Sequence, residues 1–348
     1  PPRYGEEMEI ANGETTTDAN GKFQVEFTAA PDPATDKKDR PSFYYTVYAD
    51  VVDINGETHS AERSVELGYL SLTAGVQLPE TFDRTQAPPL VVTTNNLDGQ
   101  HVNVKGKITI QRLESPTQYY HDRYWGKPDQ YTIPEGLFKS TFPNIAYKKE
   151  DERESWAVKE QVYAGDLDTG VSDSLRLDMS AWAIGYYVVT VSVTDPSGQP
   201  VESKSYYELF DRKARKVAPN VLFRHETDKT QYEPGEEAQL SLISGLTTPI
   251  HVRLEIENGK GEVISRWVKL AQWKEELQAI AEQDRGNLPY VLAFIHQNRF
   301  YTYSGIISVP WSNKDLTISY QTFRDKLRPG QEEEWQLKIS GPKKESVA

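Results

Sequence analysis

The sequence has no cysteine in 348 residues, and only two methionines and six histidines. Lack of cysteine removes disulfides, thiolate nucleophiles and Cys-based zinc sites together, and argues against a small extracellular scaffold stapled by disulfides. It does not separate bacterial cytoplasm from periplasm. Long hydrophobic runs are missing too: "YVLAF" at 290–294 is among the longest, against the roughly 20 apolar residues a spanning helix needs. No membrane span is therefore expected. Positive charge is the minority, with 39 Lys and Arg against 52 Asp and Glu and a net charge of −13. A polyanion would be repelled, so nucleic acid is not an expected partner. The opening "PPRYGEEMEI" lacks a charged start followed by an apolar stretch, so the chain reads as cytosolic or as an internal piece with a targeting segment upstream. The domain pattern below favours the internal piece.

Catalytic signatures are also missing. No Gly-x-Ser-x-Gly or phosphate-loop pattern occurs. The histidines, His59, His101, His121, His225, His251 and His296, include no pair at the i, i+4 spacing of helical metal ligands. Asp53, Asn55 and Gly56 fit positions three, five and six of a calcium loop. Position one would then be Val51, with no side-chain oxygen, and position twelve Glu62 inside a strand pattern. The chain is read as non-enzymatic, with no catalytic, cofactor-binding or metal residue and no cofactor expected.

What the sequence does have is period-2 alternation. "KFQVEF" sends Phe23, Val25 and Phe27 one way and charged or polar residues the other, and "SLRLDM", "HVRLEIE" and "EWQLKI" repeat the pattern. That is a strand with one wet face. Turns such as "DANG", "DING", "LDG", "DPSG", "NGKG", "YEPGE" and "LRPGQ" fall between these runs, and short strands with closely spaced turns indicate all-β sandwiches. Helix signals are few. "IPEGLFKSTFP" has Pro134 at a helix start and Pro143 at its stop. "AQWKEELQAIAEQDRGN" fits a helix and a strand equally.

Two internal repeats set the organisation. Tyr44, Tyr45, Asp53 and Gly56 recur as Tyr186, Tyr187, Asp195 and Gly198, each 142 positions on, and Pro234-Gly235 recurs as Pro329-Gly330, 95 positions on. Gly accepts the positive φ of a hairpin or type II turn and Pro presets the residue before it, so each Pro-Gly can reverse the chain ahead of a strand. The sequence thus divides into a partial sandwich at 1–68, a sandwich at 69–217 carrying an insertion at 115–172, a sandwich at 218–312, and the start of a further domain at 313–348.

In this order, "TDANGKFQVEF", "YTVYADVVDINGET", "GYYVVTVSVTDPSGQPV", "TDKTQYEPGEEAQLSL" and "FRDKLRPGQEEEWQLKISGP" resemble the hairpins and domain starts of bacterial alpha-2-macroglobulin-like proteins. The resemblance covers nearly the whole chain. It implies tandem macroglobulin-like antiparallel β-sandwiches, of the immunoglobulin or fibronectin type, with one insertion containing a short helix. It further implies a longer protein with endopeptidase inhibitor activity that traps proteases at the bacterial cell envelope. That protein would be periplasmic or at the cell surface, anchored through an upstream lipoprotein signal. The family's Cys-Gln thioester has no counterpart in a chain without cysteine, so this chain would serve as scaffold. Its partners would be other domains of the same chain and, through the longer protein, proteases.

One cluster could bind a ligand. Tyr119, Tyr120, Arg123, Tyr124 and Trp125, with Tyr131 nearby, set aromatic rings beside a fork donor, as a glycan or peptide site does. The alternative function is accordingly a cell-surface module that recognises glycan or protein through the 115–172 insertion. The competing reading is that these rings pin the insertion onto its own sandwich. The run "KKEDERE" reads as a solvated face, and a third option is an accessory β array of an enzyme whose catalytic domain lies elsewhere.

Overall fold

The computed structural model describes residues 7–33, 35–53, 55–322, 326, 328–330 and 332–342. The chain is all-β, and its contacts divide it into two compact units. The first holds residues 1–114 and 157–209, the second 115–156 and 210–348. Each is described by itself.

The first unit begins with a hairpin of β1 (Ser42–Val52) and β2 (Thr58–Gly68). Then come β3 (Leu72–Gln77), β4 (Thr81–Asp83), β5 (Leu90–Asn96), β6 (Lys105–Leu113), β7 (Val158–Asp168), β8 (Ser174–Leu175), β9 (Gly185–Thr194) and β10 (Pro200–Phe210). A five-stranded sheet runs β4-β10-β9-β6-β7 and a three-stranded sheet runs β3-β5-β8. Between them Leu72, Leu90, Ile108, Tyr187 and Tyr207 form one core. Alternation explains it: Ile108 and Ile110 on β6 face inward beside Val189, Val191 and Val193 on β9.

The two hairpins foreseen from the sequence share one register. Tyr45 pairs with Val65, and 142 positions on Tyr187 pairs with Tyr207. Their surroundings differ, because Tyr186 is 6% exposed and Tyr44 72%. Their turns follow a five-residue rule. Asp53 donates its N–H to Glu57 O and accepts from Gly56 N, while its Oδ1 accepts from the Asn55 and Glu57 amides. Asp195 repeats the backbone pattern with Gln199 and Gly198. Among the described residues of each loop the glycine alone takes positive φ, 81° at Gly56 and 86° at Gly198. The expected Asn-Gly turn is therefore a three-residue loop closed by a glycine bulge, not a two-residue turn with both centres left-handed.

The second unit is a seven-stranded sandwich followed by a hairpin. Its strands are β11 (Arg224–Thr227), β12 (Glu237–Ile243), β13 (Ile250–Glu257), β14 (Val263–Leu270), β15 (Trp273–Ala279), β16 (Leu288–His296) and β17 (Arg299–Ile307). Sheets β11-β12-β15 and β14-β13-β16-β17 enclose Leu240, Leu242, Val252, Leu254 and Ile256, as the alternation requires. The segment that fitted helix and strand equally forms β15, since its amides complete the ladder to β12. Strands β18 (Thr317–Thr322) and β19 (Gln336–Ser340) pair antiparallel. They leave Trp335, Leu337 and Ile339 exposed or half-buried. Leu327, which opens the second Pro-Gly repeat, lies outside the described residues.

Three expectations are corrected. Phe23, Val25 and Phe27 belong to no strand among the described residues and stay exposed. Their alternation found no hydrogen-bonding neighbour, and a strand exists only in a ladder. In "SLRLDM" only Ser174–Leu175 is strand, although Met179 is fully buried. The insertion does not run to 172. Residues 158–168 form β7, paired with β6 through a register with two irregularities, and such bulges blur the period-2 signal.

Candidate functional site

The segment between β6 and β7, residues 115–156, belongs to the second unit. Proline brackets its one helix, α1 (Glu135–Thr141): Pro134 caps the start with extended backbone, and Pro143 follows the end. Helical i, i+4 spacing brings Phe138 and Phe142 to 5.2 Å between ring centres. Tyr147 gathers the rest, 5.2 Å from Phe138 and 4.8 Å from Tyr131, and its hydroxyl donates to Ile133 O at 2.7 Å. Arg123 Nη2 donates to Ala146 O at 2.6 Å, with its guanidinium 5.2 Å above Phe138. The run "KKEDERE" is more than a solvated face. Glu150 meets Lys139 at 3.1 Å, while Asp151 and Glu152 both bind Lys127 at 2.9 and 2.6 Å.

This segment docks on β16 and β17 rather than on the sandwich whose strands flank it, which overturns the packing expected from sequence order. The turn between β16 and β17 places Gln297 and Asn298 both at positive φ, 47° and 62°, the two-residue hairpin geometry that matches strand twist. From it Gln297 Nε2 donates to Asn144 Oδ1 at 3.0 Å, and Arg299 Nη1 donates to Asp122 O at 2.6 Å. Buried His121 shares a 2.6 Å hydrogen bond through Nδ1 with Tyr301 Oη. Burial, assisted by the charges of Arg299 and His296, pushes the His121 imidazole below its ordinary value. Burial likewise raises the Tyr119 hydroxyl, with Tyr301 and Asp122 adding to the effect.

The cluster foreseen from the sequence therefore splits. Tyr119 packs against the sandwich core beside Tyr301 and Tyr303. Tyr120 is half-buried and outside the pocket. Arg123, Tyr124 and Trp125 line a pocket of about 370 Å³. Trp125 is 72% exposed and Tyr124 79%, and Arg299 stacks 4.3 Å over the Tyr124 ring. Sequence reasoning missed Phe138, Phe142, Tyr147 and Arg299 as lining residues. The Phe138/Phe142 spacing was a usable signal, whereas nothing local could connect Arg299 to Asp122, 177 residues earlier. Among the described residues no group of three or more His, Asp or Glu is placed to hold a metal ion. No described helix is long and apolar enough to cross a membrane.

No protein-family model matches the sequence, and no curated protein matches it. Solved structures do. Escherichia coli alpha-2-macroglobulin in its native conformation is similar over 86% of this chain and 19% of that one, at 12% identity and TM-score 0.27. Salmonella alpha-2-macroglobulin reacted with methylamine is similar over the same shares, at 13% identity and TM-score 0.29. A tetra-tandem repeat from the extending region of a large adhesion protein is similar over 81% of this chain and 60% of that one, at 17% identity and TM-score 0.23. The chain thus spans about a fifth of the macroglobulins it is similar to. Scores this low add nothing to the all-β fold that the sheets already define.

Proposed function

We propose that the chain is a scaffold section of a bacterial alpha-2-macroglobulin-like protein of the cell envelope, periplasmic or at the cell surface, and that it is not itself an enzyme. One observation carries this reading: the residues that bear the resemblance are consumed in holding the sandwich together. In "TDKTQYEPGE" Asp228 accepts from the Tyr232 hydroxyl at 2.7 Å and from Gln239 N at 3.0 Å. The same hydroxyl accepts from Lys229 N at 3.1 Å, and Lys229 pairs with Glu236 at 2.9 Å. Gly235 turns the chain at φ 92°, with Glu236 N donating to Glu233 O as a type II turn requires, and its own N–H donates to Ile280 O at 2.8 Å. Beside fully buried Tyr232, the Gly235 N–H and the Glu236 carbonyl, both bonded to Ile280, thereby tie the entry of β12 to the exit of β15.

In this reading proteases are partners of the longer protein, and the section contributes rigid β-domains around which trapping occurs. A thioester needs a cysteine sulfur as its leaving group, and the chain has none. Purified chain should therefore leave serine, cysteine and metalloproteases uninhibited and gain no mass on incubation with methylamine. Stoichiometric inhibition by these residues alone, or an amine adduct in intact-mass spectrometry, overturns the reading.

A further inference from the structure

Beyond its scaffold role, and independently of it, we propose that the pocket in the 115–156 segment binds a ligand whose aromatic end carries a carboxylate. The pocket wall supplies both halves of that chemistry. Tyr124, Trp125, Tyr131, Phe138 and Phe142 give it ring faces and edges, which favour a flat apolar body. Its only ionised groups are Arg123 and Arg299. The chain carries 52 acidic residues at net charge −13, yet no carboxylate lines this cavity. Such a local reversal of sign favours an anion where the rest of the surface repels one.

The two guanidinium groups are held before any ligand arrives. Arg123 is fixed by the carbonyls of Ala146 and Tyr147, both bonded through Nη2. Arg299 uses Nη1 on Asp122 O and rests on Tyr124. Each therefore keeps donors unspent on a restrained fork, the arrangement that suits a planar carboxylate. A neutral sugar fits less well. Besides the tyrosines, the wall offers only Gln130, Thr132 and the Trp125 indole N–H as uncharged polar groups, and the Tyr147 hydroxyl is already committed to Ile133 O. Trp125, 72% exposed at the rim, completes a ring surface that a ligand would cover.

The test uses the full chain, followed by tryptophan fluorescence and calorimetry at pH 7.5 and low salt. The probes are the peptide Ala-Ala-Phe as free acid, its C-terminal amide, and N-acetylphenylalanine. The acid should bind at least tenfold more tightly than the amide. Trp125→Ala should abolish saturable binding with an unchanged thermal midpoint, and Arg299→Gln should bring the acid down to the level of the amide. Because Arg299 also anchors Asp122, Trp125→Ala keeps the test valid if the arginine variant loosens the segment. Equal binding of N-acetylphenylalanine and peptide acid supports a free aromatic acid as source, and binding of the peptide alone supports a polypeptide end. Equal affinity for acid and amide, full binding by Trp125→Ala, or no binding of either acid overturns the proposal. So does a neutral oligosaccharide that binds at Trp125 when the acids do not.

Discussion

Asp53 and Asp195 offer a matched pair for measuring what tertiary context adds to one turn. Both close the same five-residue loop, and both accept amide hydrogen bonds from the residue four positions on. Asp53 does no more than this local work on an exposed hairpin. Asp195, 4% exposed, also accepts from Ser71 N at 3.1 Å, Ser71 Oγ at 3.0 Å and Ser197 Oγ at 2.7 Å. Asp53→Ala removes bonds whose amides water can take over, so the loss there should be small. Asp195→Ala removes the one amide bond of this kind that it shares, from Gln199 N, plus three donors from Ser71 and Ser197 aimed at a charged acceptor, each worth about 1.5 kcal/mol or more. Sharing of one carboxylate and the part-exposure of Ser71 reduce that sum, so the expected loss is about 3 kcal/mol. Amide hydrogen exchange of β9 and β10 should report the Asp195 variant, and that of β1 and β2 the Asp53 variant. Ser71→Ala should recover part of the difference in a double-mutant cycle. Equal losses at the two sites refute the claim that the contact with Ser71 adds stability. The carboxylate also predicts an acid response. Burial pushes Asp195 up, but the hydrogen bonds of Ser197, Gln199 and Ser71 outweigh it and hold the group well below the usual range. Its stabilisation is present above the unfolded value, about 3.9, and is lost as pH falls below it.

Gly235 takes φ 92° with open space where a Cβ would stand, so Gly235→Val should cost about 1–3 kcal/mol through backbone strain alone. Arg253→Val on the outer face of β13 should cost far less, and coincident urea midpoints for the two variants would remove the turn assignment. Burial lowers the imidazoles of His121, His225 and His296, so each binds a proton less readily folded than unfolded. The second unit's stability should be whole above the unfolded histidine value, about 6.5, and fall as pH drops below it. Hydrogen exchange of β16 and β17 between pH 7.5 and 5.5, corrected for intrinsic rates, measures this, and unchanged protection would refute it.

Where one strand face was buried, the sequence showed it. Val252, Leu254 and Ile256 alternate in the sequence and are all buried in the fold. Turn chemistry was equally legible, because Gly56, Gly198 and Gly235 have the positive φ their neighbours implied. Three features were not legible, each for a non-local reason. Phe23 to Phe27 alternate but lack a partner strand, β15 took its identity from the edge of β12 rather than from its own pattern, and bulges masked β7. The pocket was half visible. Arg123, Tyr124 and Trp125 stood together in the sequence, but the wall that makes them a cavity needs the helical pairing of Phe138 with Phe142 and a side chain from β17. Chain order suggested that the segment would pack on the strands it interrupts, and hydrogen bonds from Gln297 and Arg299 decided otherwise.

Because the 115–156 segment is claimed by strands made long after it, synthesis and assembly run out of step. His121 and its partner Tyr301 are 180 residues apart, an interval of roughly ten to forty seconds at 5–20 residues per second. During that time Tyr119, His121 and the surrounding rings have no sandwich to cover them, and the strands on either side, β6 and β7, can close their ladder around an undocked loop. The contacts that organise the pocket wall therefore wait for β16 and β17 to be made. Slow translation of the β16–β17 hairpin, or a chaperone that dwells on an aromatic-rich loop, would act on this step before any other.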